Sequence, residues 1–267
     1  MYWINGKKTK IVPINNRILN FGDGFFTTAR IYRGKVEDLD LHLKRLLFSA
    51  KKLYFKKFEI LKVKSQILKV SKNIKKDGVI KVIIGRNNNK NFEYSIKGCI
   101  GFFCILFFRK ISKKYKFWKK NGIKLHFCPI NLSFNKIVSG IKCISRLEYV
   151  LINRYIESKK LEEVILTDNQ GYLIECSNSN IFWRIKNTVY TPDLQKSGIP
   201  GIIRQKILSK FPIFGYNIKI VKEKKSILKI ADEVFITNSV FKIVFIKEIE
   251  KIVYKSRKIY NILNSIL

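Results

Sequence analysis

Three observations on the 267-residue chain predict an α/β (α+β) protein of two domains. β-rich runs such as "VIKVIIGR" alternate with segments of helical spacing. An apolar share of 46 %, with 13 % aromatics, is enough to fill real cores. One strongly basic stretch, Arg109 to Gly122, breaks the composition between strands. It reads as the crossing between domains or as a solvated surface loop, and as a crossing it separates a small domain over 1–113 from a larger one over 114–267.

The first residues predict a hairpin about Asn5-Gly6, and "FFTTARIYRGKV" a strand, an Arg33-Gly34 turn and a return strand. Asp40 is placed to cap a helix whose Leu43, Leu46, Leu47 and Ala50 follow helical spacing, with His42 and Arg45 beside that stripe. A second helix is expected from about Phe58 to Lys76, ended by Asp77-Gly78. "VIKVIIGR" and "YSIKGCIGFFCILFF" predict a sheet hairpin around the polar "NNNKNFE". Beyond the basic stretch come a strand near "IKLHFCPI" and a helix over Arg146–Lys159. Two strands about Asn169–Gly171, a third at "NTVYTP" and a helix opening at Pro200-Gly201 follow. Strands at "DEVFITNSV" and "FKIVFIKEIEKIVY" and a closing helix complete the chain.

The formal charge of +35 first suggests nucleic acid or an anionic membrane. Its distribution argues against both. Arginine supplies 11 of the 54 cations, and the other 43 are lysines spread over nearly every segment. Lysine lacks the fork that reads phosphates and bases bidentately. Drift toward A/T-rich codons accounts for the excess better than a selected polyanion surface does. Five cysteines without a C-x-x-C pair indicate neither a disulfide framework nor a metal site. The start lacks the apolar stretch of a signal peptide, and the longest apolar run, Cys99–Phe108, is far short of a bilayer span. These features predict a reduced, cytoplasmic protein with no membrane segment.

Lys142 stands apart from the other lysines. Its neighbours Ile141, Cys143 and Ile144 are apolar or nearly so, and Ser145-Arg146-Leu147-Glu148 after it has the form of a capping box. A desolvated amine loses its charge more readily, which suits covalent chemistry with a carbonyl.

"FGDGFFTTAR", "LHLKRL", "GIKCISRLEYVL", "EVILTDNQGYLIECSNSNIFW", "PGIIRQ" and "ITNSV" follow in order along the chain. Together they resemble the class IV aminotransferase family of pyridoxal-phosphate enzymes, the fold-type IV group. The resemblance implies a small N-terminal α+β domain and a larger C-terminal mixed β-barrel-like domain with helices, the latter carrying the cofactor lysine. It implies pyridoxal 5′-phosphate as cofactor and a homodimer. By residue, it places the cofactor on Lys142, its ring nitrogen on Glu175, and its phosphate on Arg45, the amides of Ile202 and Ile203, Thr237 and Asn238. Thr28 is expected to hydrogen-bond a reacting group and Arg30 to attract a substrate carboxylate. Gly22 and Gly24 are placed on the substrate side. The implied reaction eliminates pyruvate from 4-amino-4-deoxychorismate to give 4-aminobenzoate, a step toward folate. A transaminase on D-amino or branched-chain amino acids is the alternative, and a basic nucleic-acid binder retaining the enzyme's outline is a second. Two stretches depart from the family pattern: the glycine-free "RNNNKNFEY" and the "FKIVFI" after "ITNSV".

Overall fold

The computed structural model describes residues 1–74, 76–88, 93–210 and 215–267. It divides into two compact units, Met1–Ile111 with Ile141–Ser145, and Ser112–Gly140 with Arg146–Leu267. The segment carrying Lys142, expected in the C-terminal domain, thus belongs by its contacts to the first unit.

The first unit is an antiparallel sheet of order β2-β1-β6-β5-β3-β4, formed by β1 (Tyr2–Ile4), β2 (Lys7–Lys8), β3 (Gly24–Tyr32), β4 (Lys35–Val36), β5 (Gly78–Arg86) and β6 (Phe102–Arg109). Alternation sets its two faces. Phe25, Ala29, Ile31, Ile80, Val82, Ile84, Cys104 and Leu106 point one way and pack with Leu43, Leu46, Ala50, Val63 and Ile67 of α2 (Leu39–Lys52) and α3 (Ile60–Lys72). Each such fully buried aliphatic side chain contributes about 1.5–3 kcal/mol. Phe26, Thr28, Arg30, Lys81, Ile83, Ile105 and Phe107 are half-buried on the other face.

Three expectations need correction here. Asp40 is not the cap of α2: the cap position is Asp38, in a left-handed conformation and without a side-chain cap bond, and Asp40 lies in the first turn. Leu47 is 47 % exposed, so the buried stripe is Leu43, Leu46 and Ala50. β6 begins at Phe102 rather than Tyr94, because Arg17 fixes the preceding segment instead. The Arg17 guanidinium donates to the carbonyls of Glu93, Tyr94 and Ser95, and to Asp23 at 2.8 Å. Arg86 donates to the same Asp23 oxygen at 2.9 Å and to the carbonyls of Leu53 and Tyr54. Residues 89–92 of the glycine-free stretch lie outside the described residues.

The second unit is a mixed sheet built from β7 (Ile123–Phe127), β8 (Glu163–Thr167), β9 (Leu173–Cys176), β10 (Asn180–Ile185), β11 (Thr188–Pro192), β12 (Asn217–Val221), β13 (Glu233–Asn238) and β14 (Lys242–Ile249). Its order is β12-β11-β10-β13-β14-β7-β8-β9, with β15 (Ile252–Val253) on β14, and each unit's sheet curls into a half-barrel. The passage from the first unit to the second, at Ile111–Ser112, falls inside the basic stretch, but most of that stretch is not loop, since Lys114–Asn121 forms helix α4 and buries Trp118. The capping box does not form. α5 (Leu147–Ser158) starts after Arg146, and Glu148 accepts from the Ser133 amide and hydroxyl. Helices α6 (Ile202–Lys210) and α7 (Lys258–Ile266) complete the unit.

Glu233, fully buried, accepts from Arg184 Nε at 3.3 Å and from the amides of Ile259 and Tyr260 at 3.1 and 2.8 Å, and so holds the start of α7. Glu233→Ala leaves a buried guanidinium and two amides without this acceptor. It should lower stability by about 3 kcal/mol in urea denaturation. Asp23→Asn weakens the acceptor between two buried arginines, so amide hydrogen exchange should rise at Glu93–Ser95 while α7 stays protected.

Candidate active site

Lys142 owes its position to an open strand edge. β4 covers only the Ile31–Tyr32 end of β3, and the segment 141–144 lies along the other end. The Phe26 amide donates to the Lys142 carbonyl at 2.8 Å, the Ile144 amide to the Gly24 carbonyl at 3.1 Å, and Phe25 bridges Cys143 in antiparallel register. Ile141 and Cys143 turn into the core. Lys142 turns to the opposite face, with Nζ 5.0 Å from the centre of the Phe26 ring.

The glycines of "FGDG" make this docking possible. A Cβ on Gly24 would lie 2.4 Å from the Ile84 carbonyl oxygen and 2.6 Å from Ile144 Cδ1. Gly22, at φ +61°, would place one 2.2 Å from Ser145 Oγ. These glycines admit the lysine segment.

Thr28 follows Phe26 on the same face, opposite Lys81. Thr27 points inward, with Oγ1 2.6 Å from His42 Nδ1 on α2, one turn before the half-buried Arg45. Arg30 faces Glu37 at 4.0 Å and lies over the Tyr32 ring. Lys81 has its Nζ 4.2 Å from the Phe26 ring centre, so the two lysine nitrogens are at most 9.2 Å apart, the sum of their distances to that centre. Burial and the neighbouring Arg109 both push the Lys81 ammonium toward its neutral form. Desolvated cations without a carboxylate are receptive to an anion, and Lys81 has no ion pair among the described residues.

In the second unit Glu175 lies on β9 and is only 4 % exposed, which removes the reading of it as a surface glutamate. Tyr149 of α5 donates to its Oε1 at 2.6 Å. The Ile199 amide and the Asn180 side-chain amide donate to Oε2 at 3.0 and 3.3 Å. Asn180 also donates to the Ile199 carbonyl and accepts from the Gly201 amide at 2.9 Å, which ties the carboxylate to the turn before α6. Gly201 has to be glycine, because a Cβ there would sit 2.1 Å from Asn180 Oδ1.

Ile202 and Ile203, both buried, open α6, where first-turn amides have no carbonyl partner within the helix. Asn180 pairs in register with Thr237, whose buried Oγ1 has no hydrogen-bond partner among the described residues. An orphaned hydroxyl and the first amides of a helix, joined through Asn180, are the donor chemistry of an anion site. Asn238 has a side chain engaged within its own turn. Its amide nitrogen donates to the Asn178 carbonyl, and its Oδ1 accepts from the amides of Val240 and Phe241, so the side chain shapes the turn after β13. Arg204 of α6, buried against Thr191 and the Pro192 carbonyl, feels the charges of Asp193 and Glu175.

The structure therefore brings Lys142 and Thr28 to one face of the first unit, with Arg45 on the helix that Thr27 anchors. In the second unit it links Glu175, Thr237 and the start of α6. Phe26, Lys81, Tyr149 and Asn180 escaped the sequence reading. Lys81 alone left a signal there, as a charge inside the apolar run "VIKVII". Among the described residues no group of three or more His, Cys, Asp or Glu is arranged to hold a metal ion, and no helix is long and apolar enough to cross a membrane.

Comparison with known proteins matches the chain to the family model described as "Amino-transferase class IV" over residues 24–249. An aminodeoxychorismate lyase from Vibrio harveyi is 27 % identical over 242 residues, covering 90 % of this chain and 88 % of its own. A D-alanine aminotransferase from Bacillus licheniformis is 27 % identical over 243 residues, with coverage of 90 % and 83 %. Among solved structures, 4-amino-4-deoxychorismate lyase from Pseudomonas aeruginosa superposes with a TM-score of 0.92 over 99 % of this chain and 97 % of its own; at 24 % identity that likeness speaks for the fold. The family match and the shared fold lead to one conclusion: this chain belongs to the class IV aminotransferases, a family of pyridoxal-phosphate enzymes.

Proposed function

We propose that this protein is a pyridoxal-phosphate-dependent lyase that converts 4-amino-4-deoxychorismate to 4-aminobenzoate and pyruvate in folate biosynthesis, working as a cytoplasmic homodimer. The observation that carries the reading is the shared face of β3, which presents the Lys142 amine beside Phe26 and the Thr28 hydroxyl two residues further on. An elimination needs a base for one proton and a donor for the departing oxygen, and a transamination has no departing oxygen to serve. The Vibrio harveyi relative, named as a lyase, supports the same choice.

The donor chemistry fits the cofactor. Lys142 would hold it covalently; Arg45, the amides of Ile202 and Ile203, and the orphaned Thr237 hydroxyl would hold its phosphate; Glu175 would meet its ring nitrogen. Asn238 would support this set through the turn it closes. Bound there, the cofactor supplies an electron sink for the carbon that bears the substrate amine. Lys142 then removes the proton from C4 of the substrate, and Thr28 donates to the oxygen on C3 as the C3–O bond opens. The C4–H and C3–O bonds break, the ring becomes aromatic, and the released enol becomes pyruvate. A positioned base of this kind contributes about 10²–10⁴-fold. Arg30 draws the substrate's carboxylates toward this face, and Lys81, opposite Thr28, is placed to receive one directly.

The holoenzyme supplied with 4-amino-4-deoxychorismate should release 4-aminobenzoate and pyruvate in equal amounts, and Lys142→Ala should release neither above background. Amino-group transfer from D-alanine or a branched-chain amino acid, without 4-aminobenzoate formation, would establish the transaminase instead. Gly201→Ala drives a methyl group into Asn180, so cofactor affinity measured by absorbance titration should fall at least about tenfold with the circular dichroism spectrum unchanged.

A further inference from the structure

The hydrogen bond between Tyr149 and Glu175 has no role in the reading above. Tyr149 from α5, Ile199 from the turn before α6, and Asn180 from the start of β10 each donate to Glu175 from a separate element. At 2.6 Å the phenol makes the shortest of these bonds. Arg146 lies over the Tyr149 ring with Cζ 4.7 Å from its centre, and Tyr149 packs against the buried cluster that includes Ile152. Burial first, and the Glu175 charge next, push the Tyr149 phenol far above its ordinary range; Glu148 adds to this and Arg146 opposes it. The phenol therefore keeps its proton and acts toward Glu175 as a donor. Arg204 and Cys176 also feel the Glu175 charge.

A hydrogen bond donated to a carboxylate favours its ionised form and makes it a poorer acceptor for a further proton. We propose that Tyr149 is a positioning residue that keeps Glu175 ionised, so that a proton shared between this carboxylate and the ring nitrogen of the bound cofactor rests on the nitrogen. The inference rests on Glu175 being the partner of that nitrogen. It is independent of whether the enzyme is a lyase or a transaminase, since both need the protonated ring.

The test uses the holoprotein loaded with pyridoxal phosphate labelled with ¹⁵N in the ring, as wild type and as Tyr149→Phe, Tyr149→Gln and Glu175→Gln. The ¹⁵N signal reports directly whether the nitrogen carries the proton, which a merely structural role for Tyr149 would not alter. The expected result is a protonated nitrogen in the wild type and in Tyr149→Gln, whose amide restores a donor. In Tyr149→Phe the signal should move toward the neutral range, with turnover down about tenfold, and Glu175→Gln should be fully neutral. A signal in Tyr149→Phe identical to wild type overturns the role of Tyr149. A signal unmoved in Glu175→Gln removes the premise about Glu175, and the two failures are distinct.

Discussion

The placement of Lys142 hangs on two main-chain hydrogen bonds, from the Phe26 amide to the Lys142 carbonyl and from the Ile144 amide to the Gly24 carbonyl. They make the lysine segment a short extra strand on β3, and strand alternation then decides everything about the side chain. Ile141 and Cys143 enter the core, so Lys142 must face the other way, beside Phe26. A slip of one residue would bury the ammonium and expose two apolar side chains, at a cost of several kcal/mol. The register is thus fixed by hydrophobic burial, and the Lys142 amine inherits its position from that burial. Gly22 and Gly24 are the steric condition for the docking, because any side chain at either position meets the lysine segment.

Much of the fold was legible in the sequence, since strands and helices announce themselves by period. The failures have a common physical form: a residue whose partner is remote in sequence. Lys114–Asn121 looked like a basic loop because five of its eight residues are polar or charged, yet Tyr115 and Trp118, three apart, meet Phe241 more than a hundred residues on. Ser145 and Glu148 had the spacing of a capping box, but Ser145 is pressed against Gly22 and Glu148 is taken by Ser133. Local competition between side-chain acceptors is invisible in a motif.

The same distinction separates the site residues. Lys142, Thr28, Glu175 and the α6 start stood out because a family resemblance marks them. Tyr149 and Asn180 did not, because their meaning lies in what they touch: Tyr149 reaches a strand 26 residues away, and Asn180 spans from Glu175 to Gly201. Arg30, legible as a cation on the right face, is engaged with Glu37 and Tyr32, whereas Lys81 stands across from Thr28.

Three buried glutamates show how environment, rather than residue type, assigns a task in this cation-rich chain. Glu233 meets an arginine and the first amides of a helix, a fixed ion pair whose work is structural. Glu163 accepts from the Val164 amide of its own strand and from the amide and hydroxyl of Ser177, yet burial outweighs these donors and raises its affinity for a proton. Glu175 differs from both in the donors that meet it. It is held by a phenol and two amides, donors that steady a carboxylate without cancelling its charge. A charge held in that way is still available to a cationic ligand, because the neutral donors leave the electrostatic attraction in place. Among the three, Glu175 is therefore the one whose surroundings suit a protonated aromatic nitrogen, and the phenol of Tyr149 is the part of those surroundings that this chain adds from α5.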